Sequence, residues 1–132
     1  MDGYRHRIMD GLLEKKLQAK GAVLIEGPKW CGKTTTAEEV AASKILLART
    51  DVKNNFKSLL EIDTDAALSA ETPMLIDEWQ TVPKLWDAVR YTVDHRRKMG
   101  QFILTGSAVP DKEAEEEREH SGTGRFAWLT MR

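Results

Sequence analysis

Four residues near the start of the chain have the types and the spacing that hold phosphate groups. Gly27, Gly32, Lys33 and Thr34 satisfy G-x-x-x-x-G-K-[ST], the P-loop pattern. Glycines let the backbone curl so that successive N–H groups face phosphate oxygens, and the following helix adds its positive N-terminal end. We expect Lys33 to reach the β- and γ-phosphates and the Thr34 hydroxyl to bind Mg²⁺. The pattern predicts that the chain binds a nucleoside triphosphate.

The whole loop and the first turn of the next helix form the predicted nucleotide contact. Its residues are Gly27, Pro28, Lys29, Trp30, Cys31, Gly32, Lys33, Thr34 and Thr35. Trp30 could shield the phosphates or approach the base, although packing is the commoner role of tryptophan. Cys31 lies near a helix N-terminus that favours its thiolate, so its oxidation could block nucleotide binding. A tolerated variable loop position is the alternative for Cys31.

Two carboxylates follow an apolar segment farther along the chain. Residues 74–76 read Met-Leu-Ile, which is typical of a buried strand, and Asp77 and Glu78 come directly after them. Ligands gather at the carboxyl ends of strands in open α/β sheets. We expect Asp77 to hold Mg²⁺ through water, the Walker B role, and Glu78 to orient or deprotonate the water that attacks the γ-phosphate. The alternative is that both acids are solvated residues at a strand end.

A short polar segment ends the next predicted strand. It consists of Thr105, Gly106 and Ser107. Glycine allows close backbone approach at such a point. A polar side chain here could contact the γ-phosphate or the attacking water. Ser107 is the better candidate for this role, with Thr105 behind it, and an ordinary strand-end turn is the alternative.

Strands and helices alternate along the predicted secondary structure. The predicted helices cover 5–20, 33–43 and 83–100, and a further helical stretch carries Phe56, Leu59 and Leu60. The predicted strands cover 22–26, 44–48, 73–78, 101–105 and 126–131. Gly21 ends the first helix, and Asn54-Asn55 marks a turn. Pro83 takes the first position of the last helix, which Gly100 ends. This order predicts a three-layer α/β/α P-loop NTPase core around a parallel sheet of about five strands.

Length and composition fit one globular domain in a reducing compartment. The chain has 132 residues, of which 41% are hydrophobic and 31% charged. Its net charge of −1 gives no general attraction to nucleic acid or to anionic membranes. One cysteine excludes an internal disulfide, and no apolar run is long enough to span a bilayer, so we expect a cytoplasmic location. Residues 1–132 are predicted to form one domain, with an N-terminal helix in 1–20 and a nucleotide-binding core in 21–132.

Five segments taken together resemble the AAA-type ATPase domain that begins many prokaryotic ATP-binding proteins. They cover residues 27–34, 75–80, 85–90, 102–108 and 120–125, in the same order as in that family. The resemblance implies ATP as the nucleotide and a sheet with strand order 5-1-4-3-2. It also implies that Arg125 is an arginine finger, acting in cis or on a neighbouring subunit. From the residues alone, Arg125 follows a glycine-bearing loop and a surface position is the alternative.

The predicted function is hydrolysis of Mg²⁺–ATP to ADP and phosphate. Its catalytic residues are Lys33, Asp77, Glu78, Ser107 and Arg125. Because members of the resembled family continue into a longer C-terminal region, we expect a truncated domain without its effector region, and self-association is possible. A non-hydrolysing nucleotide-binding module is one alternative. A small-molecule kinase is another, but it needs an acceptor pocket and an arginine-rich lid that this length does not provide, and the pair Asp77 and Glu78 fits attack by water better. The basic run 95–98 gives little support for nucleic acid because no aromatic residues interleave it, and no membrane partner is expected.

Overall fold

A computed structural model of the chain describes residues 2–27, 32–107 and 126–130. The helices are α1 (Asp2–Ala19), α2 (Lys33–Val40), α3 (Thr50–Ile62), α4 (Thr64–Ala67) and α5 (Leu85–Arg96). The strands are β1 (Ala22–Gly27), β2 (Ser43–Leu46), β3 (Met74–Asp77), β4 (Phe102–Ser107) and β5 (Phe126–Thr130), and a 3₁₀ turn (Trp79–Thr81) follows β3. Each predicted strand is present to within two residues at either end. Within these described ranges, none of the helices combines the length and the apolar character needed to cross a bilayer.

The five strands form one parallel sheet. Their order is β2-β3-β4-β1-β5, which is the predicted order 5-1-4-3-2 read from the other edge. Strand register places Gly27 beside Ser107 and Asp77 beside Thr105. Because the strands are parallel, their carboxyl ends meet at the same edge of the sheet. The fold therefore brings the ends of β1, β3 and β4 together, as the sequence predicts.

Helices cover both faces of the sheet. Alternate residues of a strand point to opposite faces of the sheet. Because helices cover both faces, the central strands are buried on both sides. On one face, Leu24, Ile76 and Leu104 belong to a cluster with side chains of α3 and α5. On the other face, Val23 and Leu75 belong to a second cluster with side chains of α1 and α2. The result is the predicted three-layer α/β/α architecture.

The predicted turn at Asn54-Asn55 is wrong. Both asparagines lie inside α3, on its exposed side. Phe56 and Leu60, one helical turn apart, are buried from the same helix. Burying a large apolar side chain stabilises by about 1.5–3 kcal/mol. The helix propensity lost at an asparagine is about 0.7 kcal/mol or less. Packing therefore outweighs the local preference of the asparagine pair.

The predicted end of α2 at residue 43 is also wrong. The helix ends at Val40, and the cap residue Ala41 already has an extended backbone. The Ala42 N–H then donates to the Pro73 carbonyl at 2.9 Å, ahead of the pairing between β2 and β3. Sheet pairing ends this helix one turn early.

Both predicted boundaries of α5 need correction. The helix begins after the N-cap Lys84, so Pro83 precedes the cap and is not at the first helical position. It ends at Arg96, where Arg97 takes a left-handed backbone (φ 54°). Gly100 instead lies in the link to β4, with φ 66°, and its N–H donates to the Lys20 carbonyl at 3.0 Å. Glycine favours this left-handed conformation, so Gly100 shapes the approach to β4 and not the end of the helix.

Candidate nucleotide-binding site

The two outer glycines of the P-loop pattern lie at a strand end and a helix start. Gly27 is the last residue of β1, and Gly32 is the N-cap of α2 with φ 86° and ψ 12°. This left-handed backbone is favoured by glycine and opposed by a Cβ atom. Pro28, Lys29, Trp30 and Cys31 are outside the described residues, so their predicted contacts stay predictions. The strand and the helix that flank the loop are where the pattern requires them.

The first turn of α2 presents three side chains in different environments. Lys33 is its first residue and is only 5% exposed, which is unusual for lysine. Thr34 is half-buried and faces the end of β3, whereas Thr35 is exposed. The charge of Lys33 and the N–H groups at the start of α2 give this end of the helix a positive character. This arrangement is suited to an anion such as phosphate.

A carboxylate at the end of β3 joins α2 to β4. Asp77 is 8% exposed, and its Oδ1 atom accepts hydrogen bonds from the Thr34 hydroxyl at 2.8 Å and from the Thr105 hydroxyl at 2.5 Å. Leu75 and Ile103 face α1 and α2, so Asp77 and Thr105, two residues farther along, face the same way. The sequence singled out Thr34 and Asp77 together. It placed Thr105 second to Ser107, although Thr105 is the hydroxyl that contacts Asp77.

The Thr34 hydroxyl and the Asp77 carboxylate are the kind of ligands that Mg²⁺ prefers. Magnesium binds hard oxygen atoms, keeps several waters, and in nucleotide sites takes one or two protein ligands together with phosphate oxygens. The two side chains are within hydrogen-bond distance of each other, between the start of α2 and the end of β3. This donor set fits a magnesium ion that is shared with a triphosphate.

Glu78 has a backbone conformation that is rare for its residue type. Its φ of 58° and ψ of 47° are left-handed, and non-glycine residues held there cost about 1–3 kcal/mol. The Thr81 hydroxyl donates to the Glu78 carbonyl at 2.9 Å, which closes the 3₁₀ turn. The Gln80 side-chain amide donates to Glu78 Oε2 at 2.5 Å. The chain thus turns sharply after Asp77, and the turn holds the half-buried carboxylate of Glu78.

A cavity of about 610 Å³ opens between the start of α2 and the ends of the strands. Its volume is within the range of about 300–1,000 Å³ that small-molecule sites occupy. The lining residues are Gly32, Lys33, Thr34, Thr35, Ala48, Asp77, Glu78 and Thr81. The cavity therefore brings together residues 32–35 of the predicted nucleotide contact and both predicted acids.

Two of the predicted catalytic residues cannot be placed by their side chains, and three residues of the site were not predicted. Ser107 ends β4 beside Gly27, but its side chain lies outside the described part of the chain, as does the whole of Arg125. Ala48, Gln80 and Thr81 were not predicted to belong to the site. Gln80 and Thr81 follow Glu78 closely, and this proximity was the signal in the sequence that could have found them.

The comparisons with known proteins agree with this geometry. Residues 19–132 match the sequence profile of the family described as AAA domain. Two curated proteins are each 33% identical to this chain over 100 residues. They are uncharacterized protein Mb2031c of Mycobacterium bovis and uncharacterized protein Rv2008c of Mycobacterium tuberculosis. These matches cover 75% of this chain and 22% of each relative. A crystal structure of the DnaC helicase loader, 10% identical, has a TM-score of 0.52 and covers 98% of this chain and 87% of that chain, which shows a shared fold.

Proposed function

The chain belongs to the AAA domain family, and from this premise we propose that it binds Mg²⁺–ATP and hydrolyses it to ADP and phosphate. The observation that carries the proposal is the hydrogen bond between Thr34 and Asp77. It joins the phosphate-binding end of α2 to the carboxyl end of β3, across a cavity large enough for a phosphate chain. A P-loop alone binds phosphate, whereas hydrolysis also needs acids beside the metal and the attacking water.

Four described side chains of the site have proposed roles in binding the substrate and its metal ion. The buried ammonium of Lys33 binds the β- and γ-phosphates, and the N–H groups at the start of α2 bind phosphate oxygens. The Thr34 hydroxyl and the Asp77 carboxylate hold Mg²⁺, which neutralises phosphate charge when bound. Thr105 fixes the orientation of Asp77 by donating to the same carboxylate oxygen. These four side chains bind and orient the substrate.

Glu78 is the proposed general base. The oxygen of a water molecule forms a bond to the γ-phosphorus, and the bond from that phosphorus to the β–γ bridging oxygen breaks. Glu78 takes a proton from the water, and ADP leaves with the bridging oxygen. Glu78 lines the same cavity as Lys33 and Asp77, which supports a role for it beside the γ-phosphate. General-base catalysis of this kind contributes about 10²–10⁴-fold to a rate.

Three further roles are proposed from the sequence and its family resemblance. Ser107 is the γ-phosphate sensor, Arg125 is an arginine finger, and the loop residues 28–31 contact phosphate. The chain spans about a fifth of the length of the curated relatives it matches.

Phosphate release by the purified chain with Mg²⁺–ATP tests the proposal. Glu78→Gln should keep ATP affinity within about twofold and lose at least about 100-fold in kcat, because the amide cannot take the proton. Glu39→Gln, on the exposed side of α2, is the matched control and should behave as wild type. Equal turnover in Glu78→Gln would refute the role of Glu78. ATP binding without any phosphate release by the wild type would support a non-hydrolysing nucleotide-binding module instead.

A further inference from the structure

We propose that Gln80 is a positioning residue that holds the Glu78 carboxylate in its reactive orientation, an inference that rests on the proposed hydrolysis. The Gln80 side-chain amide donates to Glu78 Oε2 at 2.5 Å. A carboxylate has about four acceptor sites on its two oxygens. One bond from Gln80 therefore fixes the direction of the group while leaving it able to accept a proton.

The backbone around Glu78 supports this bond. Glu78 is held in a left-handed conformation, and the chain then enters the 3₁₀ turn that contains Gln80. This turn is what brings a side chain two residues away back onto Glu78. Strained backbone of this kind persists where the surrounding structure requires it, and it is frequent at functional sites. The strain here has a visible result, which is the contact between the two side chains.

Gln80 is itself fixed by close packing on β4. A Cβ atom added at Gly106 would lie 2.7 Å from Gln80 Oε1 and 3.0 Å from Trp79 Nε1, so both side chains lie close against the backbone of β4. The Trp79 ring packs on Trp86 with a centroid distance of 5.3 Å. Gly106 and Trp79 thus border the seat of the Gln80 side chain. This packing confines the group that we propose orients Glu78.

The carbonyl oxygen of the Gln80 side chain indicates that packing alone does not explain why glutamine occupies this position. Its Oε1 atom is buried and has no hydrogen-bond partner among the residues that the structure describes. Burying an unpaired carbonyl costs free energy, so an apolar side chain of similar shape would suit this seat better if the seat were only structural. The amide N–H bond to Glu78 is the compensating interaction. The chemistry of the site, and not the core, explains the presence of glutamine.

Gln80→Met tests this role because methionine keeps the approximate length and removes both polar atoms. We expect kcat for phosphate release to fall about tenfold, the effect of one hydrogen bond to a charged group, with KM for ATP within about twofold. Thermal stability should change little, because the loss of the hydrogen bond to Glu78 and the removal of the unpaired carbonyl have opposite effects. Gln18→Met, on the exposed side of α1, is the matched control. In the Glu78→Gln background, Gln80→Met should lower kcat no further, because Gln80 acts only through Glu78.

The side-chain amide resonance of Gln80 gives a readout that does not require turnover. In the ¹⁵N-labelled chain, Glu78→Gln should move this amide proton upfield, because a carboxylate acceptor is lost, and Glu39→Gln should leave it in place. An unmoved resonance, or a Gln80→Met variant with wild-type kcat, would overturn the inference. Absence of phosphate release by the wild type would instead overturn the proposed hydrolysis and with it the reactive role. The resonance would then still decide whether Gln80 holds Glu78.

Discussion

Replacing Thr105 with valine tests the link between Asp77 and its neighbours, and Thr92→Val provides a matched control. Both threonines are buried, at 0% and 3% exposure. The Thr105 hydroxyl donates to Asp77, whereas the Thr92 hydroxyl has no hydrogen-bond partner among the described residues. Valine keeps the shape of threonine in both cases, so the two variants differ in one respect. Thr105→Val loses a hydrogen bond, and Thr92→Val loses none within the part of the chain that the structure describes.

The expected change in the free energy of unfolding differs in sign between the two variants. A hydrogen bond to a charged group contributes about 1.5–3 kcal/mol. Since Asp77 keeps the bond from Thr34, we take the lower end and expect Thr105→Val to lose about 1.5 kcal/mol. Thr92→Val removes an unpaired buried hydroxyl and should leave stability unchanged or raise it by up to about 1 kcal/mol.

Urea denaturation followed by circular dichroism measures both values. The dependence of the unfolding free energy on urea should be the same in the two variants and the wild type, because the surface exposed on unfolding does not change. If Thr105→Val were as stable as the wild type, the bond to Asp77 would not contribute as described. If Thr92→Val lost as much as Thr105→Val, the cost would belong to the substitution and not to Asp77.

Two further pairs of variants test the site and the packing. Lys33→Ala should weaken ATP binding at least about 100-fold, since a charge-assisted contact to two phosphates is lost. Lys57→Ala, on the exposed side of α3, should leave the affinity for ATP unchanged. Calorimetry measures both affinities, and equal values would contradict the P-loop assignment. Gly21→Ala should destabilise by about 1–3 kcal/mol, because its Cβ would lie 2.1 Å from Val93 Cγ1. Gly11→Ala, in α1 with no atom within 4 Å, should stabilise by about 0.5–1 kcal/mol. Thermal denaturation compares the two, and a destabilised Gly11→Ala would contradict the free space at that position.

The parts of the fold that sequence predicted well are those with local signals. The apolar strand, the glycine-bounded loop and the helix after it are contiguous, so β1 and the start of α2 could be read directly. Asp77 could be placed for the same reason, because it directly follows three buried residues of β3. Alternation of such units implies a parallel sheet, and a parallel sheet brings strand ends to one edge. These inferences need no knowledge of distant contacts.

The parts that sequence missed depend on contacts between distant residues or on an unusual backbone. Thr105 contacts Asp77 because β3 and β4 pair in a register that sets them side by side, and this register is not visible in either strand alone. Gln80 reaches Glu78 because Glu78 is left-handed, a conformation more usual for asparagine or glycine. Asn54 and Asn55 continue a helix because Phe56, one turn from another buried residue, packs on the core. In each case tertiary structure decides between local alternatives.

A crystal structure with Mg²⁺ and a non-hydrolysable ATP analogue tests most directly whether the chain binds Mg²⁺–ATP at this site. We expect a metal ion about 2.1 Å from Thr34 Oγ1 that is held by the Asp77 carboxylate through water. We also expect the γ-phosphate group within hydrogen-bond distance of Lys33 Nζ. A nucleotide bound elsewhere on the chain would contradict the proposed site. A Mg²⁺ ion that contacts neither Thr34 directly nor Asp77 through water would contradict it as well.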